Sequence, residues 1–207
     1  MKKIIIFDVD RTLVDSYKAE TESMREAFKI GTGKILTEED VERFMSLSTS
    51  KFLNSFNLTD EEINIIYKEW DNKYDNYKVE CFPKMKEVIK ELNSKGYSIG
   101  IITARTSKEF HELDDELKDI IDNIKIVITS DLINKPKPNR DSIDYLCNKL
   151  KCNTEDIIYI GDSNIDKQFA INSNVKFIPA CFENKELSNE ENACYNSNDL
   201  LSIIDSM

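Results

Sequence analysis

Residues 4–7, Ile-Ile-Ile-Phe, run directly into Asp8-Val9-Asp10-Arg11-Thr12. Four consecutive apolar residues read as a strand buried on both faces, the kind that belongs to a parallel sheet covered by helices. Two carboxylates stand one residue apart where that strand ends. In an open α/β sheet the ligand crevice lies just past the carboxyl ends of the strands. Two close carboxylates in a dry crevice do not both stay charged unless a cation sits beside them. The first twelve residues therefore call for a parallel sheet and for positive charge brought from elsewhere.

The rest of the chain supplies the sheet. From Cys81 onward, helical faces alternate with short apolar runs. Met85, Val88, Ile89 and Leu92 share one helical face, which ends at Gly96. Ser98–Thr103, Ile124–Ile128, Ile157–Asp162 and Val175–Pro179 read as strands. Between them, Thr106 with Glu109 opens a helix carrying Phe110, Leu113 and Leu117. Asn139 is placed to cap a helix carrying Ile143, Leu146, Cys147 and Leu150, and a last helix runs from about Asp199 to Ile204. Strands alternating with helices predict an α/β fold, a three-layer Rossmann-like core around a parallel sheet. Right-handed crossovers would bring the strand carboxyl ends to one rim.

Residues between Tyr17 and Lys78 have a different character. Glu20–Phe28 reads as helix and Gly31-Thr32-Gly33 as its break. Thr37–Asp40 and Thr59–Glu62 are capping boxes opening two further helices. No strand pattern interrupts them. The expected organisation is a core of residues 1–15 and 80–207 with an all-helical insert at 16–79. Phe52, Phe56, Tyr67, Trp70, Tyr74 and Tyr77 are read as that insert's own core.

A chain of 207 residues with 40% apolar and 32% charged residues has the make-up of a soluble globular protein. Its net charge of −11 argues against nucleic-acid partners and against anionic membranes, both of which require basic surface. Five scattered cysteines without a CxxC pair suggest neither a disulfide framework nor a zinc site. The N-terminus carries too short an apolar run for a signal peptide, and no segment approaches a spanning length, so a cytoplasmic location is expected. Monomer and small homo-oligomer both fit the composition.

Four features fall at predicted strand ends: Asp8 and Asp10 after the first strand, Thr103 after the second, Lys135 or Lys137 in the loop after the third, and Asp162 with Asp166 after the fourth. In this order and spacing the chain resembles the haloacid dehalogenase-like hydrolase superfamily, and within it the phosphoglycolate-phosphatase-like branch with a helical cap of the C1 type inserted after the first strand. The resemblance covers nearly the whole chain. It implies a phosphomonoester hydrolase acting on a small phosphorylated metabolite, with Mg²⁺ as cofactor.

What the resemblance implies residue by residue agrees with the chemistry. A phosphate ester repels an attacking carboxylate, and Mg²⁺ on hard oxygen ligands relieves that repulsion. Asp8 would be nucleophile and metal ligand, forming an aspartyl-phosphate. Asp10 would be general acid and base, its backbone carbonyl a further metal ligand. Asp162 would complete the ligands, with Asp166 behind them holding a metal-bound water or supporting the site. Thr103 would bind the phosphoryl oxygens, and a lysine would neutralise the nucleophile. A Lys-Pro-x-Pro run favours Lys135 for that lysine, whereas spacing to the fourth strand favours Lys137; Lys137 is preferred and Lys135 is the alternative. Arg105 and Thr106 are read as caps of the following helix, with phosphate contact the second option.

Two departures stand out. Arg11 occupies a position where this branch usually has glycine; ordinary backbone there and a side chain pointing at the cap or the substrate mouth are expected. Ser46–Lys51 lacks the arginine that sugar-phosphate mutases of the branch carry, which weakens a mutase alternative. Ser48, Lys51 and Arg43 are the candidate substrate contacts of the insert. The intact Asp8 and Asp10 speak against a further alternative, a non-catalytic phosphate-binding module.

Overall fold

The computed structural model describes residues 3–183 and 185–207. Five parallel strands form one sheet: β1 (Ile4–Phe7), β4 (Ser98–Ile102), β5 (Ile124–Ile128), β6 (Ile157–Gly161) and β7 (Lys176–Pro179), in the order β5-β4-β1-β6-β7. Two two-residue strands, β2 (Val14–Asp15) and β3 (Glu80–Cys81), pair antiparallel. They join the ends of the two chain segments that flank the helical insert. Such short strands lie below the length at which alternation can be detected, so the sequence carries no sign of them.

β1 is the centre of the sheet. Phe7 is in register with Ile101 of β4 on one side and with Ile160 of β6 on the other. All four residues of β1 are buried, as expected of a central strand covered on both faces. On one face, Ile4, Ile6, Ile102, Ile128, Ile157 and Tyr159 pack with residues of α8 (Asp141–Leu150) and α9 (Asn164–Ser173). Elsewhere α5 (Met85–Ser94) packs on β4, and α10 (Ser197–Ser206) packs on α5. The result is the expected α/β Rossmann-like core.

Contacts divide the chain into two compact units, Met1–Asp15 with Glu80–Met207, and Ser16–Val79. The second holds only helices among its elements: α1 (Tyr17–Thr32), α2 (Glu38–Ser46), α3 (Thr49–Asn54) and α4 (Asp60–Tyr74). Its core is aromatic. Phe28, Phe44, Phe52, Phe56 and Trp70 meet edge-on or tilted, with ring centroids 4.8–6.5 Å apart. Both capping boxes of this unit are present, at Thr37–Asp40 and Thr59–Glu62.

Three local expectations are corrected. Gly31 does not break α1, which continues to Thr32 and ends at Gly33 with φ 71°. Gly31 is inside because a Cβ there would lie 2.6 Å from Ile66 Cγ1, so its absence lets α1 and α4 approach closely. Asn139 does not cap α8: its side chain donates to the Pro136 carbonyl and the helix starts after Arg140. The helix after β4 is two pieces, α6 (Ser107–His111) and α7 (Asp114–Leu117). The Glu109 carbonyl, which a continuous helix would offer to the Leu113 amide, accepts from Arg105 Nη1 at 3.2 Å, and Leu113 donates to Phe110 instead. Among the described residues no helix is long and apolar enough to cross a membrane.

Candidate active site

The site lies at the carboxyl edge of the core sheet, where β1 has β4 and β6 as neighbours. Asp8 leaves β1 with its amide bonded to the Ile160 carbonyl of β6 at 2.9 Å. The chain then closes a tight loop. The Leu13 and Val14 amides donate to the Val9 carbonyl at 2.8 and 3.1 Å, and the Arg11 amide donates to Val14 at 2.8 Å. Arg11 sits in this loop with φ 58°, so the expectation of ordinary backbone is overturned. The loop needs a left-handed residue there, a conformation that L side chains disfavour.

Lys137 reaches back to the strand end. Its Nζ lies 2.9 Å from Asp8 Oδ1, 2.7 Å from Asp166 Oδ1 and 2.9 Å from the Tyr159 hydroxyl. The Lys137 side chain is only 7% exposed, whereas Lys135 in the same loop is exposed. Asp166 is saturated by protein donors. Its Oδ1 also accepts from Tyr159 at 2.7 Å, and its Oδ2 accepts the Ser163 amide at 3.2 Å and hydroxyl at 2.6 Å. Ser163 and Asp166 thereby form the capping box of α9. Gly161 makes room for this: a Cβ there would stand 2.6 Å from Asp166 Cβ and Cγ.

Asp162 is fully buried at the end of β6, and Arg11 Nε lies 3.1 Å from its Oδ2. Asp10 is gripped by the Arg105 guanidinium, with Nε 2.9 Å from Oδ2 and Nη2 2.7 Å from Oδ1. This bidentate pair corrects the reading of Arg105 as a helix cap; Thr106 alone caps α6. Thr103 is buried at the end of β4, where its hydroxyl oxygen accepts the Arg105 amide at 3.1 Å. Four carboxylates thus face three cationic side chains.

The electrostatics follow from burial and pairing. Burial pushes the Asp8 carboxyl up to about 7, with Lys137 opposing and Asp166 reinforcing the rise. Burial also raises Asp166, but Lys137, Ser163 and Tyr159 more than reverse it and hold this carboxyl below its usual range. Burial would lower Lys137, yet Asp166 and Asp8 overcome that and keep the ammonium charged.

Asp8, Asp162 and Asp166 each offer a carboxylate oxygen, all within 4.8 Å of one another. An all-oxygen, buried, acidic donor set suits a hard divalent cation. Since both Asp166 oxygens are engaged by the protein, Asp8 and Asp162 are the side chains of the three best disposed to bind one directly.

The substrate candidates of the helical unit are placed as follows. Arg43 pairs with Asp40 at 3.3 Å, donates to the Ser55 hydroxyl at 2.7 Å and lies 5.6 Å from the Phe56 ring centroid. Ser48 precedes α3 and Lys51 lies on it, both exposed. Three participants were not identified from sequence. Tyr159 left one signal, a hydroxyl in an otherwise aliphatic strand. Ser163 left another, the Ser-x-x-Asp spacing of a capping box. Arg105 reads only as a cap or phosphate contact; its pairing with Asp10 across 95 positions left no signal, because it depends on the order of the strands.

The family described as haloacid dehalogenase-like hydrolase matches residues 5–180. Pyrophosphatase PpaX of Bacillus cereus (strain G9842) is 23% identical over 163 residues, covering 78% of this chain and 75% of that protein. Two solved structures share the fold. A predicted phosphoglycolate phosphatase from Haemophilus somnus 129pt has a TM-score of 0.80 at 19% identity, covering 98% of each chain. A haloacid dehalogenase-like family hydrolase from Streptococcus pneumoniae has a TM-score of 0.80 at 20% identity, again covering 98% of each chain. With its family match spanning most of the chain and the acidic strand ends gathered at one edge of the sheet, this protein belongs to the haloacid dehalogenase-like hydrolases.

Proposed function

We propose that this hydrolase is a Mg²⁺-dependent phosphatase that cleaves small phosphomonoesters through an aspartyl-phosphate on Asp8. The observation that carries this reading is the Asp8 carboxylate itself: buried, 2.9 Å from the Lys137 ammonium, and within metal-sharing distance of Asp162. Asp8 and Asp162, with the Asp10 backbone carbonyl, would hold the ion. Bound there, Mg²⁺ would screen the phosphate charge that repels a carboxylate nucleophile.

In the first step Asp8 attacks phosphorus, the bond to the leaving oxygen breaks, and Asp10 gives that oxygen a proton. In the second, water attacks phosphorus, Asp10 takes its proton, and the bond to Asp8 breaks, releasing phosphate. Lys137 would offset charge on Asp8 as it becomes an acyl phosphate and leaves again. Thr103 would donate to the phosphoryl group, its oxygen already oriented by the Arg105 amide. Arg105 would hold Asp10 in one orientation through two parallel bonds. Family inserts of this kind select the leaving group; of the insert's candidates, Ser48 and Lys51 are exposed and Arg43 is tied to Asp40 and Ser55.

Hydrolysis of an aryl phosphate tests the reading. Activity should require Mg²⁺ and fall at least about a thousandfold in Asp8→Asn; activity retained in that variant would overturn it. A panel of phosphorylated metabolites names the substrate class. It includes inorganic diphosphate, because the curated relatives are named pyrophosphatases, and sugar phosphates, where an isomerised product would reveal a mutase.

A further inference from the structure

The Arg11–Asp162 pair is not used by the mechanism above, and it engages one of the residues expected to hold the metal. We propose that Arg11 is a built-in counter-cation of the metal site: in the metal-free enzyme its guanidinium pairs with Asp162, and Mg²⁺ binds in competition with it. The inference rests on the divalent-metal reading above.

The cations of the site are divided among its acids. Lys137 serves Asp8 and Asp166, Arg105 serves Asp10, and Arg11 serves Asp162. Asp162 is wholly buried and the Arg11 side chain is 13% exposed, so solvent screens this pair little. The backbone supports a specific role for the arginine. Its loop position is left-handed, where glycine would be unstrained and arginine is not, yet arginine stands there. Mg²⁺ binds carboxylate oxygens at about 2.0–2.1 Å and demands near-octahedral surroundings. A guanidinium nitrogen already stands 3.1 Å from Asp162 Oδ2, so Mg²⁺ on that carboxylate would set two cations against one buried anion, and their repulsion weakens the bound ion. Arginine cannot shed its charge to make way, so the metal has to compete with it. The pair therefore supports the fold at low metal and sets the metal affinity below what the carboxylates alone would give.

Titration calorimetry of Mg²⁺ into chelator-stripped protein tests this, together with melting temperatures in chelator and in saturating Mg²⁺. Arg11→Asn removes the charge while tolerating the left-handed backbone, and Arg11→Gly repeats the test with no backbone strain. Both should bind Mg²⁺ about tenfold more tightly than the native chain, the size of a competing buried ion pair. Arg11→Lys, which keeps a charge on a shorter, compact head, should stay near the native affinity. Relative to the native chain, Arg11→Asn should melt lower in chelator, and the gap should narrow in Mg²⁺. Equal or weaker Mg²⁺ binding in Arg11→Asn and Arg11→Gly, with binding lost in Asp162→Asn, would overturn the role of Arg11 and leave the metal reading standing. Absence of Mg²⁺ heat and thermal shift in every protein, the native chain included, would overturn both.

Discussion

Lys135 and Lys137 are two residues apart in one proline-rich loop, and their surroundings differ completely. Lys137 ends between Asp8, Asp166 and Tyr159 with its charge held by both carboxylates, while Lys135 is in solvent. At saturating Mg²⁺, Lys137→Met should lower kcat for aryl phosphate hydrolysis by about a hundredfold or more, the scale of losing one charged group aimed at the reacting centre. Lys135→Met should leave kcat within about twofold. Equal losses in the two variants would contradict this assignment. Removing Lys137 also strips Asp166 of its cation, so folding of the variant should be checked by its melting transition.

The elements set how closely these side chains approach. Loop 9–14 bends Arg11 back toward the end of β6, and the Ser163–Asp166 capping box fixes the first turn of α9 against the same strand. The contact is tight enough that Gly161→Ala would press a methyl group into Asp166. That variant should lose about 1–3 kcal/mol of stability by overpacking, as read from urea unfolding. It should also weaken Mg²⁺ binding, because Asp166 and the lysine it holds would shift. Gly31→Ala tests the equivalent approach of α1 to α4 in the helical unit, where the neighbour is Ile66 Cγ1. Ile66 is apolar and none of the site's acids belongs to its unit, so this change should cost stability of similar size with Mg²⁺ affinity unchanged. Loss of affinity in both variants alike would show that the effect is general loosening.

At the scale of the whole molecule, the buried acids make metal-free stability depend on pH. Asp8 has a native pKa of about 7 against 3.8 when exposed, raised chiefly by burial. Between pH 4 and 7 the native state keeps a proton that the unfolded chain has lost, so stability falls as pH rises through this window and levels above it. Asp166 acts in the opposite sense, its contribution lost only below the ordinary carboxylate range. In chelator, Asp8→Asn should therefore gain stability relative to the native chain, by about 2–3 kcal/mol between pH 5 and pH 8. Parallel stability curves for the two proteins would show that Asp8 ionises as an exposed carboxylate does.

The strand ending in Asp-x-Asp, the alternation of helix and strand after residue 81, the helical stretch between Tyr17 and Lys78 and the acidic and basic strand-end residues were all legible in the amino-acid order. Each rests on local periodicity, capping or spacing, which neighbours along the chain enforce. The tertiary structure alone decided the partnerships. β1 lies between β4 and β6, so Arg105 meets Asp10 and Lys137 meets Asp8 across separations that no local pattern encodes. The left-handed bend at Arg11 belongs to the same class. Its amide closes a turn onto Val14, and only that geometry turns its guanidinium onto Asp162. Periodicity reports which face of an element is buried, whereas charge pairing depends on which elements meet, and that is settled by packing.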